Sequence, residues 1–390
     1  MLFQKKMLVW ILLLVCWQYQ LMGQFESDYS RLKPSGKIPA YLSIPFLEAY
    51  NPFDTRTENT DAPVTEDDFW QESNYYLNQL LISGKILYND PVSKYIGQVA
   101  DHLLRSHPEL RRKLRFFAVK SPSLNAFSSN QGVILINVGL LARLENEAQL
   151  AFILSHEISH IISRHQMDFY LASREWETKL DQTTDKHSMR KMLMEQRKYS
   201  QETELEADQL GLKIFMASRY DLNAIPSCFD IIRQKDIAYD EKAFHPSFFD
   251  IPHVQYPDTF FLPSYDSIPE DILIFQQYNS THPAAELRQK VLMDSITEKI
   301  EDFGGRSLFM SESADFYHIR EICRFETCFS YLAHGDYEKS FYWSYLLLQK
   351  YPRNQFLKIC LGQALYRLAI FKQVACFIFS SKLHLKHYLP

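Results

Sequence analysis

Leu154-Ser155-His156-Glu157-Ile158-Ser159-His160-Ile161-Ile162 sets two histidines four residues apart, with a glutamate directly after the first, inside an otherwise apolar run. On a helix, positions four apart stack on one face, so both imidazoles can reach a single metal ion. Zinc takes such a pair readily, and a catalytic zinc needs a third protein ligand and an open position for water. Glu157 then stands beside that water as general base. Ala148, Phe152, Ile153 and Ile161 spread around the helix expected from Glu145 to beyond His165, which predicts a buried central helix whose histidine pair faces a cleft.

A third ligand has its candidate in Glu204-Leu205-Glu206-Ala207-Asp208. On a helix expected to begin at Ser200, Glu204 and Asp208 share a face one turn apart. The first helix lacks a third zinc ligand and a carboxylate to orient a ligand histidine, and this pair offers both. Glu202 and Glu206 read instead as a solvated acidic face near a helix start, favoured by the helix dipole. His165, five after His160, points off the metal face of a continuous helix and reads as a polar cap.

Outward from these helices the period changes. Residues 67–81 and 91–106 carry apolar positions at helical spacing, including Tyr76 and Leu80 in the first and Ile96 and Val99 in the second. Residues 114–119 and 132–138 read as strands, the second opened by the turn Asn130-Gln131-Gly132. The patterns predict an α+β, mostly helical domain over residues 67–311, with a small sheet beside the buried histidine helix. Residues 170–199 are strongly charged and read as a solvated helix pair or a lid. The connection 238–279, with prolines at 246, 252, 257, 263 and 269 and many aromatics, reads as an ordered flap.

The two ends differ from the middle. Residues 1–23 combine Lys5 and Lys6, an apolar stretch over 7–17 and a terminal Gly23, the pattern of a secretory signal peptide, cleaved or kept as an anchor. Residues 24–66 read as an extended N-terminal arm. In residues 312–390, Gly335-Asp336-Tyr337 followed by Pro352 has tetratricopeptide spacing, and a shift of about 34 residues carries Tyr337 to Phe371 and Cys328 to Gly362. Two degenerate tetratricopeptide-like repeats are expected, a plain helical bundle being the alternative. Such units offer concave surfaces to protein partners, and the apolar end at 374–379, which lacks a polar cap, is expected to dock on the rest of the chain or on a partner.

With 46% hydrophobic and 23% charged residues in 390, the chain can bury a sizeable core. Its net charge of -5 comes with no basic stripe, which argues against nucleic acid as a partner. Cys228, Cys323, Cys328, Cys360 and Cys376 form one or two disulfides if the chain is exported, or remain buried thiols.

The ordered set His156-Glu157-Ile158-Ser159-His160, Glu204-Leu205-Glu206-Ala207-Asp208 and Gly211 resembles the gluzincin peptidases grouped with the CAAX prenyl protease and the heat-shock protease HtpX. It is most similar to their soluble periplasmic BepA-like members, which join a signal peptide and a peptidase domain to tetratricopeptide repeats. The resemblance covers residues 67–292 and, more loosely, the C-terminal repeats. It implies a zincin-like fold with one Zn2+ per chain, held by His156, His160 and Glu204, with Glu157 as catalytic base and Asp208 as the carboxylate behind the ligands. Asn125-Ala126-Phe127 and the strand with Gly132, Val133 and Ile134 match the segment that borders the cleft, where an exposed strand edge can hold an extended peptide by backbone pairing.

Ser280-Thr281-His282-Pro283 and Arg288 match the family's downstream His-Pro and Arg, so the resemblance makes His282 and Arg288 catalytic candidates on the flap side, with Arg288, which stays charged, suited to orienting substrate or Glu204 rather than to proton transfer. His282 admits two roles, stabilising an oxyanion or occupying the open zinc position as a latch. The implied function is an exported zinc metalloendopeptidase of the periplasm, free or membrane-associated, that hydrolyses misfolded or misassembled envelope proteins. Its implied partners are protein and peptide substrates and a protein on the C-terminal repeats, with no integral span once the signal is removed. A chaperone-like peptide-binding protein with a latched or inactive zinc site is the alternative.

Overall fold

The computed structural model describes residues 25–42, 64–129, 131–181, 186–233, 245–249, 285–309 and 313–385. The expected export signal, most of the flap and His282 lie outside the described residues. The chain forms helices α1 (Val64–Ile82), α2 (Pro91–Leu103) and α3 (Pro108–Lys113), then strands β1 (Arg115–Val119), β2 (Ala126–Ser128) and β3 (Val133–Asn137). Helices follow: α4 (Val138–Arg143), α5 (Glu147–Ile162), α6 (His165–Asp181), α7 (Lys186–Ser218) and α8 (Ala224–Arg233), then α9 (Ala285–Phe303), α10 (Ser313–His334), α11 (Tyr337–Lys350) and α12 (Gln355–Leu385). The mostly helical arrangement with a small sheet agrees with the pattern of the sequence.

Helix starts follow from local chemistry. Asp90 caps α2 by accepting from the backbone N–H groups of Val92 and Ser93 at 2.9 and 3.0 Å, with Pro91 in the first turn, where its missing N–H costs nothing. Asn146 caps α5 the same way, accepting from Gln149 N at 3.0 Å. The next residue, Glu147, is fully buried and accepts from the hydroxyls of Tyr95 and Tyr220, each at 2.6 Å, and from Phe309 N at 2.9 Å. One carboxylate thereby ties α5 to α2 and to the segments after α7 and α9.

The sheet has order β1-β3-β2, with β1 parallel and β2 antiparallel to β3. Alternation along β3 sends Ile134 and Ile136 into the main core, while Val133 and Leu135 join a smaller cluster with Leu42, Ile86 and Phe117. A strand buried on both faces explains why residues 133–137 are almost continuously apolar. Helix α5 is buried along nearly its whole length, as its all-round apolarity predicts, and packs on α7. Gly211 permits that contact, since a Cβ there would lie 3.2 Å from the backbone of His156.

Two of the helix boundaries that differ from the pattern reading bear on the site. The histidine helix stops at Ile162, and Arg164 takes a left-handed φ of 56° before α6 starts at His165. The acidic helix begins at Lys186 rather than Ser200, so Glu202 to Asp208 sit in mid-helix and the dipole explanation for Glu202 and Glu206 falls.

The C-terminal helices pack on this body. Arg320 and Arg324 of α10 each donate at 3.2 Å to the carbonyls of Leu144 and Ala142 at the end of α4, and Phe316, Ile322 and Cys323 enter the main core. Phe25 of the arm stacks on Phe325 of α10 and Tyr29 packs tilted against it, with ring centroids 4.8 and 4.9 Å away, and Tyr29 donates to Glu326 at 2.9 Å. The arm therefore straps the C-terminal helices. Helix α12 runs unbroken through Phe371, where a second repeat would turn. The helix pair expected there is not formed, because Ala369-Ile370-Phe371 has none of the turn chemistry of Gly335-Asp336. Cys228, Cys323, Cys328 and Cys360 are buried free thiols rather than disulfide partners.

Candidate metal centre

His156 and His160 point their Nε2 atoms at one spot, 3.0 Å apart. Glu204 of α7 faces them with its carboxylate oxygens 3.5 Å from His156 Nε2 and 3.4 Å from His160 Nε2. All three side chains are buried, and their ligand atoms form the metal-competent group found among the described residues. Ligands about 2.0–2.1 Å from a tetrahedral zinc stand about 3.3–3.4 Å from one another, which the two histidine–glutamate separations match, while the two Nε2 atoms sit slightly closer. Glu157, 3% exposed, lies beside the trio and lines the cleft on both sides of it.

Behind the ligands sits a second layer. His156 Nδ1 is 2.9 Å from Asp208 Oδ1, which leaves its Nε2 for the metal side. Arg288, from α9, donates from Nε and Nη2 to the two oxygens of Asp208 at 2.6 and 2.7 Å, and its Nη1 is 2.6 Å from Glu204 Oε2. A single guanidinium thus holds both carboxylates in place. Burial by itself would raise the pKa of Asp208, but the Arg288 charge and the bonds from Arg288 and His156 outweigh it and bring it below the usual carboxylate value. Burial lowers the pKa of His156, and the opposing pull of Asp208 does not reverse this. Both shifts favour a neutral imidazole against an ionised carboxylate, the state a metal ligand needs.

Some expected site residues are placed elsewhere. Arg288 is 2% exposed, its guanidinium is held by Glu204 and Asp208, and it also lines the cleft beside Glu157. Val133 and Ile134 lie in the central strand, with β1 and β2 on either side, and Gly132 just before it, so among the described residues they do not form the exposed strand edge expected of them. Among the described residues the free edge is β2. Asn137 N donates to Asn125 O and Ser129 N to Val133 O, so alternation turns the backbone of Ala126 and Ser128 outward, and Gln166 reaches the Ser128 carbonyl.

Two hollows flank Glu157 along β2. The one toward Asn125, about 410 Å3, has apolar walls from Leu140, Phe152, Ile153 and Ile232, and Tyr331, Asp336 and Lys339 close it from the C-terminal helices. The other, about 250 Å3, runs toward Ser128 and includes Phe127, His160 and Gln166. Sequence reasoning missed the contribution of Tyr331 and Lys339, which lie far from the motif along the chain. It also missed His165, whose Nδ1 is 2.9 Å from His160 Nδ1. The break at Arg164 carries no glycine or asparagine to announce it.

Residues 89–296, more than half of the chain, match peptidase family M48. The chain belongs to that family. Among curated proteins, this M48 chain is 24% identical over 183 residues to the β-barrel assembly-enhancing protease of Yersinia pestis, and 27% identical over 177 residues to the protein of that name in Escherichia coli K12. Those matches cover 43% and 40% of this chain but 38% and 36% of the relatives, so the M48 chain matches well under half the length of each. A shorter match, 26% identical over 137 residues, covers 33% of this chain and 28% of the mitochondrial metalloendopeptidase OMA1 of Arabidopsis thaliana. Metallopeptidases of this family use a metal, typically zinc, and the M48 match encloses His156, His160, Glu204 and Arg288.

Proposed function

We propose that this chain is a zinc metalloendopeptidase that hydrolyses peptide bonds in misfolded or misassembled envelope proteins after export. The observation that carries the chemistry is the convergence of two imidazole Nε2 atoms and a buried carboxylate, with Glu157 beside them in a cleft bordered by a strand edge. The relatives named as β-barrel assembly-enhancing proteases support the envelope role, and residues 1–23 support export. Among the described residues no helix is long and apolar enough to cross a membrane.

The donor set fits zinc, so His156, His160 and Glu204 are the residues that would hold it, with Asp208 and Arg288 fixing His156 and Glu204 from behind. Bound there, zinc would polarise the scissile carbonyl and lower the pKa of water. Glu157 takes the proton of the attacking water on its carboxylate and passes it to the departing amine as the C–N bond breaks. An extended substrate pairs antiparallel with β2, its N-terminal side toward Ser128 and its C-terminal side toward Asn125. The residue just after the scissile bond then enters the larger, apolar hollow, which suits a large apolar side chain.

A Glu157→Gln variant tests the reading directly. It should bind zinc as wild type does and lose cleavage of casein by at least about a thousandfold, since general base catalysis and carbonyl attack both need the carboxylate. Undiminished cleavage by the zinc-loaded variant would remove Glu157 from the mechanism. A wild-type chain that binds zinc and clients but cleaves nothing would be a binding protein instead.

A further inference from the structure

His165 opens α6 yet returns to the metal centre. Its Nδ1 lies 2.9 Å from the Nδ1 of His160, the two rings meet edge to face with centroids 5.0 Å apart, and both are buried. In an unbroken helix a residue five after His160 would project about 140° away around the axis. Here α5 ends at Ile162, Arg164 adopts its left-handed turn, and the chain re-enters a helix with the His165 ring against His160.

We propose that His165 is a positioning residue of the metal centre, accepting a hydrogen bond from His160 Nδ1–H and so holding His160 in the tautomer whose Nε2 faces the metal. The logic is one of proton count. A neutral imidazole carries one N–H, so if Nε2 coordinates, the proton of His160 sits on Nδ1 and that atom can only donate. Two Nδ1 atoms at 2.9 Å need one donor and one acceptor, so His165 accepts and bears its own proton on Nε2. That atom is 3.4 Å from Glu206 Oε2. The Glu206 side chain is 63% exposed, so water screens this last contact and Glu206 adds little to the hold on the ring.

The two ligand histidines are thus held from behind by different chemistry. His156 has the carboxylate of Asp208 at its Nδ1 and His160 a neutral imidazole, which orients the ring without adding negative charge to the centre. The inference rests on reading His156, His160 and Glu204 as a zinc site.

Zinc affinity of the full chain, measured by competition with a chromogenic chelator, tests it with His165→Leu, His165→Asn and Glu206→Gln. Asparagine places Oδ1 near the position of Nδ1 and keeps the acceptor. His165→Leu should weaken zinc binding by about 10- to 100-fold, His165→Asn by less than about fivefold and Glu206→Gln by less than about threefold. Should wild type fail to bind one zinc, the metal-centre reading itself falls. If wild type binds but His165→Leu binds within about threefold of it, or Asn is as weak as Leu, the positioning role alone is overturned. Should the leucine variant not fold, nitrogen-15 shifts of the zinc-loaded wild type decide: the inference requires the proton of His160 on Nδ1 and that of His165 on Nε2, and any other pair of tautomers overturns it.

Discussion

Arg288 shows how much of the site depends on one side chain behind it. Its guanidinium faces Glu204 and Asp208 at 2.6 Å, and all three groups are buried. Arg288→Met would leave two buried carboxylates without their cation, a loss of about 3–5 kcal/mol in stability that urea unfolding would measure. A change below about 1 kcal/mol would mean water replaces the arginine. The same residues set an acid limit. With the pKa of His156 depressed, the unfolded chain takes up a proton that the folded chain refuses, so stability is present above the ordinary histidine value and lost as pH falls through it. His102, His165 and His318 are shifted the same way by burial. Asp208, with its pKa lowered, adds a further loss once pH falls below its ordinary value near 4. The metal-free protein should therefore melt at progressively lower temperature from pH 7 to pH 5 and lower again below pH 4; a flat melting profile from pH 7 to pH 5 would contradict the histidine shifts. At this scale the ligand candidates were legible, because spacing of i and i+4 on helices brings side chains together whatever the fold. Arg288 had its position from motif resemblance and, as a fixed charge, an orienting role toward substrate or Glu204, whereas its hold on Asp208 depends on where α9 packs.

Among the elements, β2 has the clearest functional consequence. It is three residues long and, among the described residues, pairs on one side only, which leaves the backbone of Ala126 directed at the cleft. Proline is tolerated on a strand edge where the N–H faces away from the ladder, so Ala126→Pro should fold and bind zinc normally. Losing that donor should raise KM for a casein-derived peptide by about tenfold with a smaller effect on kcat. An unchanged KM would place the substrate elsewhere. The strand over 132–138 was readable from its apolar run, but not that it is central. A central and an edge strand can be equally apolar, and only the pairing of β1 and β2 on either side of β3 separates them. Likewise α7 starts within a charged stretch whose propensity allows a helix anywhere along it, so its first turn could not be fixed at Ser200.

For the whole molecule, the question is whether the C-terminal helices are a separate module. The main core includes Val92 of α2, Leu154 of α5, Ile322 of α10 and Leu357 of α12, and the backbone end of α4 is bonded by Arg320 and Arg324. A chain ending at residue 309 would expose this face together with the partners of Phe25 and Tyr29, and burial of each large apolar side chain is worth about 1.5–3 kcal/mol. Such a fragment should aggregate or unfold without a cooperative transition, as followed by circular dichroism during heating. Retention of wild-type melting would establish an independent peptidase domain. Tyr331 and Lys339 reach the larger hollow from this same region, so the helices that close the core also shape the cleft.

The sequence by itself determined the reaction chemistry and the kinds of elements that carry it: a buried helix with two histidines, a second helix with two carboxylates, and a small sheet before them. Those follow from short-range periodicity, which is a property of the chain alone. Tertiary structure decided which strand is the edge, that Arg288 clamps two carboxylates, that His165 turns back onto His160, and that the C-terminal helices line the cleft. Each of these depends on packing between segments distant in sequence, or on one left-handed residue, and neither leaves a mark in the spacing of residues.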